Sequence, residues 1–298
     1  MSNAAPAYTK PPLDESLYLA AEEDFAFIRE QTGMHDPETL KKHILEVQQK
    51  AYDLYGHRCI RGFAFTRTRI ATLPAYQAAL TLGREREGAI LLDLGCCFGT
   101  DIRKAASDGF PVQNLIASDL RPAFWNCGHE LFQTNPDTFP IKFLAGDAFD
   151  PAFLAPTEPL TSQDEVSTPA PPLASLTSLT PLRGHVSALH TSSVFHLFFE
   201  AQQLQFARAL ASLLSPAPGS VIFGAHTGRR VKGFNMGGCC SGGHHMFCHS
   251  PETFREMWGE VFKEGTVKIE VELRPRQPDV HEIKSEDMGR LVWSVTRI

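Results

Sequence analysis

Short, unbroken apolar runs, each followed by a turn and then by apolar positions at helical spacing, recur along the chain from about residue 85 onward. That alternation is the signature of parallel strands buried on both faces and joined by helices. Residues 89–92, 115–117, 141–144, 185–190 and 220–225 predict five such strands, and 267–273 and 291–297 predict two more at the end. Between them, 100–108 reads as a helix stopped by Gly109 and Pro111, and another starts near Pro122 and carries Phe124, Trp125, Leu131 and Phe132. A long helix runs to Leu214, and Ser250-Pro251-Glu252 opens one with Phe254, Met257 and Trp258. Before residue 85 the pattern is helical only. Leu17, Leu19, Phe25, Phe27 and Ile28 mark one helix, and Asp36-Pro37-Glu38 opens a second through Leu40, Ile44 and Val47. The expected organisation is an N-terminal helical extension over 1–84 and an α/β core over 85–298. Residues 155–183, rich in Pro, Ser and Thr, break the rhythm and predict a mobile insertion.

The first strand is the informative one. It delivers Asp93 to its carboxyl end and breaks into Gly95-Cys-Cys-Phe-Gly99 before the helix, which is where open α/β sheets place a ligand. Gly95 and Gly99 let the backbone turn sharply or approach a ligand that a Cβ would exclude. A dinucleotide loop would carry a third glycine and would leave the helix N-terminus free for phosphate. Here that glycine is missing and Asp101 adds negative charge, so a nicotinamide oxidoreductase is disfavoured. Asp119, at the end of the second strand, is placed to reach ribose hydroxyls. Carboxylates and backbone groups suit a nucleoside that carries an amino group and no phosphate.

The D-x-G-x-x-x-G loop with Asp119 resembles the cofactor loop of class I S-adenosylmethionine (SAM) methyltransferases. With Asp101-Ile-Arg-Lys104, the segment 108–115, Ser118-Asp-Leu120 and Glu130-Leu-Phe132, the chain resembles fungal methyltransferases of secondary metabolism, among them meroterpenoid-pathway enzymes that methylate a carboxyl group. The resemblance implies a Rossmann-like, seven-stranded class I methyltransferase sheet with an N-terminal helical lid. It implies SAM as cofactor, held by Asp93, Gly95, Cys96, Gly99, Asp119, Leu120, Asp147, Ala148 and His190. Asp147 and Ala148 would face the adenine, with a capping role for Asp147 as the alternative. Tyr18 and the 52–65 stretch are lid candidates, although Tyr52, Tyr55, Phe63 and Phe65 also fit an ordinary core, as Trp125 does. The reaction implied is O-methylation of a carboxylate or hydroxyl on a small hydrophobic intermediate. A SAM-bound cyclase or isomerase without methyl transfer is the alternative.

The nucleophile determines the catalytic candidates. A carboxylate needs no base, whereas a hydroxyl does. His190, at the end of the fourth strand, and His244 and His245, in the glycine-rich stretch 237–249, are the candidates for orienting the acceptor or taking its proton. That stretch also holds Cys239, Cys240, Cys248 and His249. It lacks the two separated knuckles of a structural zinc site, so it is read as a substrate-side rim with no metal. Arg58, Arg61, Arg67 and Arg69 could meet a substrate carboxylate or form a solvated face.

Composition narrows the partners. The 298 residues carry a formal charge of -6 without a basic cluster, so neither nucleic acid nor an anionic membrane is an expected partner. Seven irregularly spaced cysteines and no apolar run of spanning length suggest a reduced, cytoplasmic protein.

Overall fold

The computed structural model describes residues 10–18, 22–166, 168–239, 245–275 and 287–298. Its strands are β1 (Ile90–Leu94), β2 (Leu115–Asp119), β3 (Lys142–Ala145), β4 (Val186–His190), β5 (Val221–Arg229), β6 (Gly233–Cys239), β7 (His245–Cys248), β8 (Val267–Arg274) and β9 (Met288–Arg297). Seven of them form one sheet in the order β3-β2-β1-β4-β5-β9-β8. Strands β1 to β5 are mutually parallel, and β9 runs antiparallel to both β5 and β8. Chain order reverses between β1 and β4, so the ligand crevice of such a sheet falls at their carboxyl ends. Every residue of β1 and β4 is buried, as expected of central strands covered on both faces.

Helices α4 (Tyr76–Glu85), α5 (Thr100–Ser107), α6 (Pro122–Leu131), α7 (Glu200–Leu213) and α8 (Pro251–Gly259) cover the sheet. Before them come α1 (Glu22–Thr32), α2 (Pro37–Leu54) and the single turn α3 (Arg58–Arg61). Helix α2 starts where the sequence predicts: Asp36 accepts the Thr39 N–H at 2.8 Å and Pro37 occupies the first turn.

These N-terminal helices have no core of their own. Leu17, Phe25, Phe27, Ile28, Ile44, Tyr52, Phe63 and Phe65 pack in one cluster with Phe98 of the glycine loop and Phe124, Leu131 and Phe132 at α6. Tyr52, Phe63 and Phe65 are therefore core aromatics, and Tyr18 stacks on Phe25 with ring centres 4.8 Å apart. Trp125 is also a core residue, stacked on Phe143 at 5.0 Å.

Three expectations need correction. The 155–183 insertion is not a loose connection: Leu160, Leu176, Leu179 and Leu182 are buried. The Leu179 N–H donates to the Phe153 carbonyl at 2.9 Å, and the Arg297 guanidinium reaches the Leu160 carbonyl at 2.6 Å. Irregularly spaced leucines fill the core without any helical period to announce them. Second, β5 runs on to Arg229, so His226 lies inside the strand. Third, the stretch after β5 is a hairpin, in which β6 and β7 form their own two-stranded sheet. No helix among the described residues is long and apolar enough to cross a membrane.

Helix α6 touches the glycine loop where Gly128 meets the Phe98 carbonyl. A Cβ there would lie 2.0 Å from that oxygen, which is backbone and cannot rotate away. Gly128→Ala is expected to cost about 1–3 kcal/mol, read as a lower urea midpoint at unchanged slope. An unshifted midpoint would show that helix and loop do not pack this closely.

Candidate active site

The turn after β1 is shaped by three residues with positive φ: Gly95 at +79°, Cys97 at +52° and Gly99 at +70°. A Cβ on Gly95 would come 2.4 Å from the Val194 methyl, so the turn after β4 closes directly over the loop. The Ser118 carbonyl accepts the N–H groups of Gly95 at 2.8 Å and Cys96 at 3.1 Å. Asp119 completes the hold. Its Oδ2 accepts the Cys97 N–H at 2.8 Å and its Oδ1 the Arg121 N–H at 2.9 Å. Burial raises the Asp119 pKa, and the two backbone donors only partly oppose this. Each oxygen keeps lone-pair capacity for a further donor. Leu120 comes next, 58% exposed just past the end of β2.

Parallel pairing sets Asp93 opposite His190. Asp93 Oδ1 accepts from His190 Nδ1 at 2.8 Å, His190 Nε2 contacts Ser192 Oγ at 2.8 Å, and Ser192 Oγ accepts the Ala225 N–H at 3.1 Å. Both imidazole nitrogens are thus committed, and the ring is 1% exposed. Burial lowers its pKa, but the Asp93 charge and hydrogen bond, helped by Asp101, raise it further, leaving it above the ordinary value. Asp93 Oδ2 is buried without a protein partner.

The N-terminal extension reaches this site through the helix after the loop. Thr100 Oγ donates to the Phe65 carbonyl at 2.6 Å, and Asp101 Oδ1 accepts the Ile70 N–H at 2.8 Å. Burial pushes the Asp101 carboxyl up, against the pull of His190, the Ile70 N–H and Arg69.

The remaining candidates separate. Asp147 is exposed at the end of β3, where its Oδ1 accepts the Phe149 N–H at 2.9 Å, and Ala148 is half-buried against the main core. Cys96 is buried, and burial chiefly pushes its thiol well above the usual range, which keeps it unreactive. Of the hairpin candidates, His245 begins β7 with Nδ1 buried and unpartnered, while His244 lies outside the described residues. Among the described residues no group of three or more His, Cys, Asp or Glu is placed to hold a metal. The four arginines do not act as a set. Arg61 donates to the Pro12 carbonyl at 2.8 Å, whereas Arg69 reaches Ser193 Oγ at 3.4 Å, beside the carboxyl end of β4. Ser192 and Arg290, which the sequence does not single out, also belong to this edge. The place of Ser192, two residues past His190, is a signal that could have found it; nothing near Arg290 signals it.

His190 binds a proton more readily in the folded protein than in the unfolded chain. Its contribution to stability is therefore full below the ordinary value of 6.5 and is lost as pH rises through the higher folded value. The stability difference between the parent protein and His190→Gln, measured by urea unfolding, is expected to shrink from pH 6 to pH 9. A difference constant across that range would show an imidazole that does not titrate there.

Residues 13–66 match the family described as the meroterpenoid methyltransferase N-terminal domain. O-methyltransferase phiE of Fungal sp. is 30% identical over 241 residues, covering 80% of this chain and 70% of that protein. Methyltransferase ausD of Penicillium brasilianum is 29% identical over 237 residues, covering 80% and 75% respectively. A SAM-dependent methyltransferase from Mesorhizobium loti aligns over 76% of this chain and 100% of its own, at 16% identity and a TM-score of 0.45. Similarity to phiE runs through most of both sequences, and by that measure this chain belongs to the SAM-dependent methyltransferases of fungal secondary metabolism.

Proposed function

We propose that the chain binds SAM across the carboxyl ends of β1, β2 and β3 and methylates an oxygen of a small hydrophobic natural-product intermediate, with a carboxylate as the acceptor. SAM supplies a methyl group already activated by its sulfonium. The crevice suits that ligand in three respects. Asp93 Oδ2 is a buried acceptor in need of a donor, such as the amino group of the methionine moiety. The Gly95-to-Gly99 loop is a tight turn at the carboxyl end of β1, kept compact because its glycines leave room for Val194 and Trp125. Asp119 is held by two backbone donors in an orientation from which its remaining lone pairs serve ribose hydroxyls. Leu120, Asp147 and Ala148 then border the adenine side, and Cys96 lines the loop.

The observation that favours a carboxylate over a hydroxyl is the state of His190. With Nδ1 on Asp93, Nε2 on Ser192 and the ring buried, the imidazole does not meet an acceptor directly, and a proton leaving an acceptor would have to reach it through Ser192. Its work is to hold Asp93 and the Ser192 turn in place. A carboxylate is deprotonated at neutral pH and requires alignment rather than a base. A hydroxyl acceptor would have to recruit another base instead, with His245 at the start of β7 and its sequence neighbour His244 as the candidates.

Calorimetric titration with SAM, S-adenosylhomocysteine and NAD tests the cofactor. Both SAM-type ligands are expected to bind and NAD is not. Asp119→Ala is expected to weaken binding about 10- to 100-fold, or about 1.4–2.8 kcal/mol. Turnover of a hydrophobic acid should release S-adenosylhomocysteine one for one with methyl ester, which a cyclase or isomerase would not do. A carboxylate acceptor should give a rate flat in pH above the carboxylate range. A rate that climbs through neutrality would point to a hydroxyl and a titrating base.

A further inference from the structure

Two arginines converge on the site from opposite ends of the chain. Arg69 lies just before the 3-10 turn Ile70–Thr72, and its Nη1 approaches Ser193 Oγ at 3.4 Å. Arg290 lies on β9, opposite Thr227 of β5, and its Nη1 donates to Thr72 Oγ at 3.2 Å. Its Nη2 is buried and has no acceptor. Arg274, the β8 neighbour of Arg290, is already paired with Glu272 at 2.8 Å.

This arrangement is costly as it stands. A guanidinium has five N–H donors and no acceptor, and a buried donor left unpaired loses its hydration without compensation. Burial, then the nearby Arg69 charge, lower the Arg290 pKa, with Asp101 opposing them. Asp101 is the acid close to both cations, yet one of its oxygens is taken by the Ile70 N–H. The strand pairing of Arg290 and the Thr72 and Ser193 contacts hold the two cations together nonetheless. Two planar, forked guanidiniums whose charges feel each other, one of them with an unsatisfied buried donor, match a carboxylate better than they match water.

We infer that Arg69 and Arg290 form a receptor for a carboxylate at the catalytic edge, with the unpartnered Nη2 of Arg290 as its buried donor. The inference rests on the proposed function only in taking this edge as the site of reaction. Two carboxylates can reach such a site: that of the cofactor's methionine moiety and that of the acceptor.

Paired ligands distinguish them. S-adenosylhomocysteine and 5′-methylthioadenosine share adenosine and sulfur, but only the first has a carboxylate. 1-Naphthoate and 1-naphthamide, titrated into protein saturated with S-adenosylhomocysteine, form the equivalent acceptor pair. Each pair is measured by calorimetry on the parent protein, Arg290→Met and Arg290→Lys. The Lys variant keeps the charge and removes the fork, and it carries the test if the Met variant does not fold. A loss of about tenfold or more in S-adenosylhomocysteine affinity with methylthioadenosine unchanged assigns the receptor to the cofactor. The same selective loss for naphthoate over naphthamide assigns it to the acceptor. If both members of each pair shift together, or none shifts, the receptor is refuted. A parent protein that binds neither nucleoside would instead refute the cofactor reading itself.

Discussion

The hydrogen bond between Asp93 and His190 is the contact on which the site depends. It joins the two central strands at the point where the order of strands along the chain reverses, and it lies almost wholly out of solvent. Removing one partner from such a pair leaves an uncompensated buried group, at a typical cost of about 3–5 kcal/mol. The pair also orients the turn beyond β4. His190 passes the constraint to Ser192, and Ser192 to the Ala225 N–H of β5. One carboxylate therefore aligns the ends of three adjacent strands and leaves its second oxygen buried without a protein partner.

The glycine loop is held from two sides. Ser118 and Asp119 grip its backbone from β2, while Phe65 and Ile70 bind the first turn of α5 through Thr100 and Asp101. Between these sits Phe98, stacked on Phe65 with ring centres 4.6 Å apart. Positive φ is free of steric cost at Gly95 and Gly99 but strained at Cys97, and the Asp119 bond to the Cys97 N–H helps offset that cost. The same contacts bring the sheet and the extension against the loop from two sides.

Much of this is legible in the sequence because it lies in contiguous stretches. The strand-glycine-helix order from Ala89 to Lys104 and the acid at Asp119 follow from local spacing, and the succession of strands follows from the same alternation. The Asp93 to His190 pairing follows once the two strands are neighbours. Arg290 leaves no such trace. Its hydrogen-bond partner Thr72 is 218 residues away, and an arginine in an antiparallel strand reads as an ordinary solvated position. The insertion defeats local reading for a related reason: Leu176, Leu179 and Leu182 are recruited by a core already built elsewhere, so their own segment needs no regular period. The Cys and His stretch reads as one loop because glycines hide the strand alternation of a hairpin.

The segment 13–66 matches a family domain by itself, yet its apolar face closes on Phe98, Phe124, Leu131 and Phe132. It is a domain in sequence without being one in packing. During synthesis it leaves the ribosome before its partners exist, and it stays without a complete core until α6 has emerged. The same dependence ties the two parts together: the N-terminal segment completes its core only against the loop phenylalanine and the α6 face. A change on either side of that shared cluster therefore alters the packing of the other, so the cover and the glycine loop share one core.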